Sequence, residues 1–302
     1  MHESSTPIRF SEIGERLRAF RMGRGLAPED LAGRLGISRA ALYRAEKGQI
    51  PKIETLTRIS DVLGVSLPTL LGVGIEYVDT AIAFFERMRQ LEETSHQIVG
   101  LFGPISYLLT SDTYDATLRE VLIEGITETG PGRAQALQAV ETLMGVLAAR
   151  KAAYRRKRPL IASLVSSADL ERFLLHGLVG RHDLLPETIA RRRREALAET
   201  RAIRDLLRDP PIGVQVGIVR ETIPATSFQI FRQPDRAVLA ISPFRLGEQP
   251  NVRVGAALIT SAPEALELHE SIAQQLWQRA FRGSEGADYL DDLIARYGIG
   301  AS

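Results

Sequence analysis

The sequence has no cysteine, a single tryptophan, and only four lysines (Lys47, Lys52, Lys151 and Lys157) among its 38 basic residues. Without cysteine there are no disulfides and no thiolate metal sites, and a reducing compartment is permitted. No run of about eighteen apolar residues occurs, so no membrane-spanning helix is expected. The opening MHESSTPIRF lacks the basic start and apolar stretch of a signal peptide, and a soluble cytoplasmic protein is the expectation. At 44% apolar residues over 302 positions, the chain can bury a sizeable core, and the length suggests two domains.

The net charge of +1 says nothing about partners. Its distribution says more. Residues 9–52 carry ten Lys or Arg against five Asp or Glu, a local excess of +5. Arginine suits bidentate contact with phosphate and guanine, although a GC-rich genome would enrich it equally.

The segment with this excess reads as a string of short helices. FSEIGERLRAF places Ile13, Leu17 and Phe20 at helical spacing behind Ser11 as an N-cap, and Gly23 and Gly25 end the helix. APEDLAGRLG starts the next, with Pro28 in the first turn and Glu29 and Asp30 at the positive end. Gly36 breaks it and Ser38 caps a third helix that runs from Arg39 to about Lys47. Leu42 and Ala45 then face inward, while Arg39, Ala40, Tyr43 and Arg44 face outward. Two short helices joined by a glycine turn, the second exposing arginines, form the helix-turn-helix pattern. PKIETLTRISDVLGVS and LPTLLGVG read as two closing helices, with Ile53, Leu56, Ile59, Leu63 and Leu67 completing a small core.

The stretch LAGRLGISRAALYRAEKGQIPKIETLTRISDVLGVSLPTLL resembles the Xre (lambda-repressor-like) DNA-binding domain over about residues 10–74. The resemblance implies an all-α, five-helix domain on double-stranded DNA. Ser38, Arg39, Ala40 and Arg44 then fall where the family reads base edges, and Tyr43 where it touches bases or backbone. Lys47, Gln49 and Lys52 fall near phosphates, and Arg21 and Glu46 match a structural ion pair. One position departs. Helix 2 begins with Pro28 after Ala27, where the family often has a polar residue that bonds a phosphate, so part of that anchor is missing and Arg24 is a candidate replacement. The bare chemistry agrees with these roles: arginine can donate two bonds to guanine, and Ala40 leaves room for a thymine methyl.

Residues 1–9 read as a flexible tail and residues 75–98 as one long linker helix. Phe84, Met88, Leu91, Ser95 and Ile98 recur there at four-three spacing, a seam that either pairs two chains or packs on its own domain. Residues 99–302 read as an α+β domain with a small, largely antiparallel sheet. Its helices are centred on TSDTYDATLREVLIEGI, RAQALQAVETLMGVLAARKAAYRRKR, ADLERFLLHG, PETIARRRREALAETRAIRDLLRD and PEALELHESIAQQLWQRAF, with YLDDLIARYG last. Its strands are LIASLVSS, IGVQVGIVRE, TSFQIFRQ, RAVLAISP and NVRVGAALITS. Arg155–Arg158 suits a helix C-terminus or a nucleic-acid contact, and the four arginines 191–194 read as a solvated surface. LLTSDTYDATLREVL, AARKAAYRRKRPLIASLVSSADLERFL, RREALAETRAIRDLL and TSAPEALELHESIAQQLWQRA resemble, in order, the C-terminal sensor-like domain of WhiJ-like regulators. The strand–hairpin–strand–helix ending is also similar to the truncated phospholipase D-like sensors of TrmB-type regulators.

Catalytic sets are missing from the sequence. No lysine follows Lys157 to serve a self-cleaving serine, His269-Glu270 lacks its second histidine, and no His-x-Lys or Walker loop occurs. His176, His182 and Asp183 read as surface residues, and no metal or cofactor is called for. The expectation is a non-enzymatic transcriptional regulator, a repressor, that binds an inverted-repeat operator as a homodimer and senses a small-molecule effector. Candidate liners of the effector pocket are Phe102, Tyr107, Tyr114, Tyr154, Phe228 and Phe231, with Arg220 and Arg253 to fix an acidic ligand. The alternative is an antitoxin or adaptor whose C-terminal domain binds a partner protein.

Overall fold

A computed structural model describes residues 9–49, 51–127, 129–181 and 183–298. The expected tail therefore lies outside the described residues except for Arg9, as does His182. Five helices open the chain: α1 (Phe10–Gly23), α2 (Pro28–Leu35), α3 (Arg39–Glu46), α4 (Ile53–Leu63) and α5 (Leu67–Leu71). Their apolar positions, among them Leu17, Phe20, Leu31, Leu42, Ile59 and Leu70, pack into a core that continues into the rest of the chain. Ser11 lies inside α1, whose N-cap is Arg9. Gly36 ends α2 at φ 64°, a left-handed conformation that a side chain would strain, and this fixes the sharp turn into α3. Gly48 has φ 88°, and a Cβ there would come within 2.8 Å of Ser11 Cα, so glycine lets the end of α3 dock on the start of α1.

The next segment differs from the sequence expectation. Residues 75–98 are not one helix but a strand, a helix and the start of a second strand: β1 (Ile75–Val78), α6 (Ala81–Thr94) and β2 (Gln97–Phe102). Thr80 caps α6 by accepting the Ala83 amide at 3.3 Å. Ser95 is extended, with ψ 145°, and its hydroxyl donates to Leu91 O at 2.7 Å, which stops the helix. Phe84, Met88, Leu91, Ser95 and Ile98 are all buried within the chain, so the four-three seam is not free to pair a second copy.

The remaining elements are α7 (Asp112–Glu124), α8 (Pro131–Lys157), β3 (Leu160–Ser166), α9 (Ser167–His176), α10 (Pro186–Arg208), β4 (Val214–Val219), β5 (Ser227–Arg232), β6 (Ala237–Ser242), β7 (Ala257–Thr260), α11 (Pro263–Arg279) and α12 (Gly283–Tyr297). The sheet is neither small nor mainly a set of hairpins. It has seven strands in the order β1-β7-β6-β5-β2-β3-β4. β2, β3 and β4 are parallel, joined by the α7–α8 and α9–α10 crossovers, and the other pairings are antiparallel. The sequence reading lacked β1 and β2; it had β3 and β4 as strands but not their parallel arrangement beside β2.

Side chains alternate across this sheet as the pleat requires. Ile98, Ile161, Val216, Phe231, Val238 and Ile259 join the larger core, shared with α6, α8, α10 and α12. Leu101, Leu164, Phe228, Ile230 and Leu239 face the other way, onto Ala273 and Leu276 of α11. A fragment starting at residue 99 lacks β1, α6 and the start of β2. It is expected to show no cooperative thermal transition by circular dichroism; a sharp transition would mean that these elements are dispensable.

The five-helix unit is joined to the sheet by charge as well as by this continuous apolar packing. Glu76, buried on β1, accepts from Arg16 Nε of α1 at 3.0 Å and from Arg87 Nε of α6 at 2.6 Å. Arg87 also donates to Gln90 Oε1 at 2.6 Å, and Gln90 Nε2 donates to Glu15 O at 3.0 Å. Burial pushes the Glu76 carboxyl up, but the two guanidiniums outweigh it and hold its pKa below the ordinary value. Burial raises the Glu15 carboxyl beside them. The four arginines 191–194 are not simply solvated either. Arg192 is 0% exposed, donating to Thr117 O at 3.0 Å and pairing with Glu124 at 2.7 Å, so it clamps α7 to α10.

Candidate nucleic-acid interface and ligand cavity

α3 is built as a presenting helix. Ser38 caps it by accepting the Ala41 amide at 3.1 Å, and Leu42 and Ala45 anchor it in the core. That leaves Ser38, Arg39, Ala40, Tyr43 and Arg44 exposed along one side, with Tyr43 at 62%. Lys47 is exposed too, its ammonium 5.8 Å from the Tyr43 ring centre, and Gln49 and Lys52 are exposed just beyond. All eight candidates thus reach solvent around the same helix. Arg39 Nε pairs with Glu29 of α2 at 2.8 Å, a surface pair that is readily exchanged. Arg21 grips Glu46 with two nitrogens, at 2.6 and 3.3 Å, and gives a third bond to Leu26 O, which ties α1 to the end of α3.

α2 begins at Pro28, and Asp30 takes the Ala27 amide at 3.2 Å, so its N-terminus offers few donors to a phosphate. Arg24 is not a free replacement. Its guanidinium donates to Leu63 O at 2.7 Å and pairs with Asp79 at 2.9 Å.

Residues 12–71 match the family model described as a helix-turn-helix domain. This part of the chain is a helix-turn-helix domain. The helix-turn-helix domain is also where the chain resembles curated and solved proteins. It is 41% identical over 60 residues to YonR, an SPbeta prophage-derived uncharacterized HTH-type transcriptional regulator of Bacillus subtilis (strain 168). That match covers 20% of this chain and 56% of the relative, so the chain spans little more than half the length of the relative it matches. A solved structure, that of the master regulator for biofilm formation SinR in complex with DNA, is 34% identical over 20% of this chain and 97% of that one, with a TM-score of 0.19.

The second site is a cavity of about 500 Å³ at the carboxyl ends of β2, β3 and β4. Clefts at the carboxyl ends of parallel strands are where α/β sheets bind ligands. Phe84 and Phe85 of α6 and Phe244 form much of its apolar wall. Of the residues proposed from the sequence, Phe102, Tyr107 and Tyr114 line it. Burial raises the pKa of both tyrosines, so they stay neutral phenols at physiological pH, and Tyr114 OH donates to Leu246 O at 2.6 Å. The other five lie elsewhere. Phe228 and Phe231 are core residues on opposite faces of the sheet, and Tyr154 is half-buried on α8. Arg220 stacks on Phe281 and Tyr289 at 5.2 and 5.8 Å, and Arg253 donates to Gly125 O at 2.9 Å.

The cavity's buried cation is instead Arg150 of α8, missed by sequence reasoning. Its signal was an arginine continuing the stripe Leu143, Val146 and Leu147 at helical spacing. Among the described residues no cluster of histidine and carboxylate side chains is arranged to hold a metal, and no helix is long and apolar enough to cross a membrane.

Proposed function

We propose that the chain is a sequence-specific DNA-binding transcriptional regulator, acting as a repressor, whose recognition element is α3. The observation that carries this is the single exposed face of α3, with Arg39 and Arg44 outward, within a helix-turn-helix domain. Arg39 and Arg44 would read base edges with Ser38, Ala40 and Tyr43, while Lys47, Gln49 and Lys52 meet phosphates. A helix-turn-helix unit reads only a half-site, which supports a homodimer on an inverted repeat with half-site centres about 34 Å apart or a multiple of that. The partner surface is not the buried α6 seam. Sedimentation as a monomer at micromolar concentration, with a footprint of one half-site, would remove the dimer.

Phosphate contacts are sequence-blind and salt-sensitive. Lys52→Ala is expected to weaken binding to all duplexes alike and to flatten the dependence of log affinity on log salt by about one unit. A loss confined to one sequence would reassign Lys52 to base reading.

The sheet domain is proposed to sense a small molecule in the cavity at the strand ends. Its support is physical continuity. α6 offers Phe84 and Phe85 to the cavity, and one turn on it offers Arg87 and Gln90 to the junction with α1. A ligand that shifts α6 has a direct route to the reader. Couplings of this kind change affinity about five- to 150-fold. The test is titration of a selected operator with and without a ligand that raises the melting temperature of the full chain; unchanged affinity would end the sensor reading.

A further inference from the structure

We propose that the cavity at the carboxyl ends of β2, β3 and β4 takes an uncharged, flat ring compound that carries a carbonyl oxygen. Only the biological use of this site rests on the sensor reading; the chemistry rests on the side chains around it.

The walls set the shape. Phe84, Phe85, Tyr107 and Phe244 surround a space of about 500 Å³, within the range of small-molecule sites. Aromatic walls favour flat rings, which stack or meet them edge-on.

Three unfilled hydrogen-bonding groups set the polar requirement: a guanidinium nitrogen of Arg150 and the hydroxyls of Ser106 and Tyr107, the two hydroxyls being buried. The guanidinium of Arg150 lies 5.3 Å from the Phe85 ring centre and 5.7 Å from that of Tyr107. Glu92 occupies one edge, accepting from Nε at 3.1 Å and from Nη2 at 2.5 Å. The remaining nitrogen, Nη1, has no acceptor among the described residues. Ser106 also lines the cavity, and its Oγ is buried without a hydrogen-bond partner. A buried hydroxyl that finds no partner is costly, and native proteins rarely leave one unexplained, whereas Nη1 of Arg150 is not sealed from solvent and is simply free to take an acceptor. A carbonyl oxygen on the ligand satisfies a guanidinium N–H, and Ser106, as donor or acceptor, suits that oxygen or a neighbouring polar atom.

The charges set the ligand's own charge. Glu92 already neutralises Arg150, and Arg172 is paired with Asp169 and with Glu248. Arg245 is solvent-exposed, where screening makes its charge worth little. A carboxylate ligand would bring a further charge into a site whose buried cation already has a counter-charge in Glu92, and burying such a charge is unfavourable.

The experiment uses the full chain and three matched probes: naphthamide, naphthalene and naphthoate. Each is titrated at neutral pH against the wild type and Ser106→Ala. Naphthamide is expected to bind about five- to tenfold tighter than the other two, the value of one or two satisfied bonds. Ser106→Ala should melt no earlier than the wild type, because its hydroxyl holds no bond within the protein. It should bind naphthamide about two- to tenfold more weakly and naphthalene equally well. Tightest binding of naphthoate, equal binding of naphthalene and naphthamide, indifference of Ser106→Ala, or no binding by any probe would each overturn the proposal. The expected pattern without any change in DNA affinity would uphold the cavity's chemistry and overturn the sensor reading instead.

Discussion

Replacing Arg39 and Arg44 together with alanine is expected to cost about 2–6 kcal/mol of operator affinity, since each arginine–guanine contact is worth about 1–3 kcal/mol. Both side chains leave the exposed face of α3, and neither supports the core beneath it. Loss of fold therefore does not enter the comparison. Arg39 must first leave Glu29, but that pair is exposed at both ends, so its release costs little. Removing Arg39 also leaves the Glu29 carboxylate uncompensated beside the DNA, so this single variant should be the weaker binder of the two. The check is fluorescence anisotropy on the selected operator and on a scrambled duplex. The variant should bind both alike, with the scrambled affinity lowered only by the lost charge and far less than the operator affinity. An operator affinity that survives both substitutions would mean that α3 is not the recognition helix.

Glu76→Gln is expected to destabilise the folded chain by about 3–5 kcal/mol, the cost of stranding buried charge. Glu76 is a carboxylate shared by Arg16 of the helix-turn-helix domain and Arg87 of the sheet domain. Glutamine keeps the shape but removes the charge. Arg16 retains Glu12 at 3.2 Å, whereas Arg87 keeps a neutral acceptor in Gln90 at 2.6 Å but, as a counter-charge, only a long contact to Glu15 at 3.8 Å, so the penalty falls mainly on the α6 side. The sign of the pH dependence follows from the lowered pKa of Glu76. Its contribution is fully present above the ordinary carboxylate value of 4.5 and is lost as pH falls through the depressed folded value. Urea midpoints of wild type and variant should therefore differ most near neutrality and converge under acid conditions below pH 4.5. Equal midpoints at pH 7 would show that the junction does not depend on this carboxylate.

What was legible in the sequence divides along local and non-local lines. The helices α2 to α5 were legible because each carries its own punctuation: Pro28, the Gly36 turn, the Ser38 cap and the left-handed ends at Gly64 and Gly72, while α1 showed through its apolar spacing alone. The grip of Arg21 on Glu46 could be placed because the resemblance supplies the pairing. β1 and β2 were not legible. Positions in α6 and in β2 happen to share one helical spacing, and the breaks at Thr80 and Ser95 are made by single hydroxyl bonds. The parallel pairing of β2 with β3 joins residues about sixty positions apart, beyond any local period. The cavity fared in between. Aromatic residues after β2 were found, but Arg150 sits on a helix stripe that otherwise reads as core, and only its partner Glu92, on another helix, explains its burial. Arg192 escaped for the same reason, since its acceptors lie on α7.

Selection of random DNA duplexes by the full chain, followed by sequencing of the bound pool, tests the central claim most directly. The account predicts a recurring motif with at least one guanine in each half-site, recovered by the wild type and lost by the Arg39→Ala, Arg44→Ala double variant. A bound pool indistinguishable from the input, or the same motif recovered by both proteins, would contradict it.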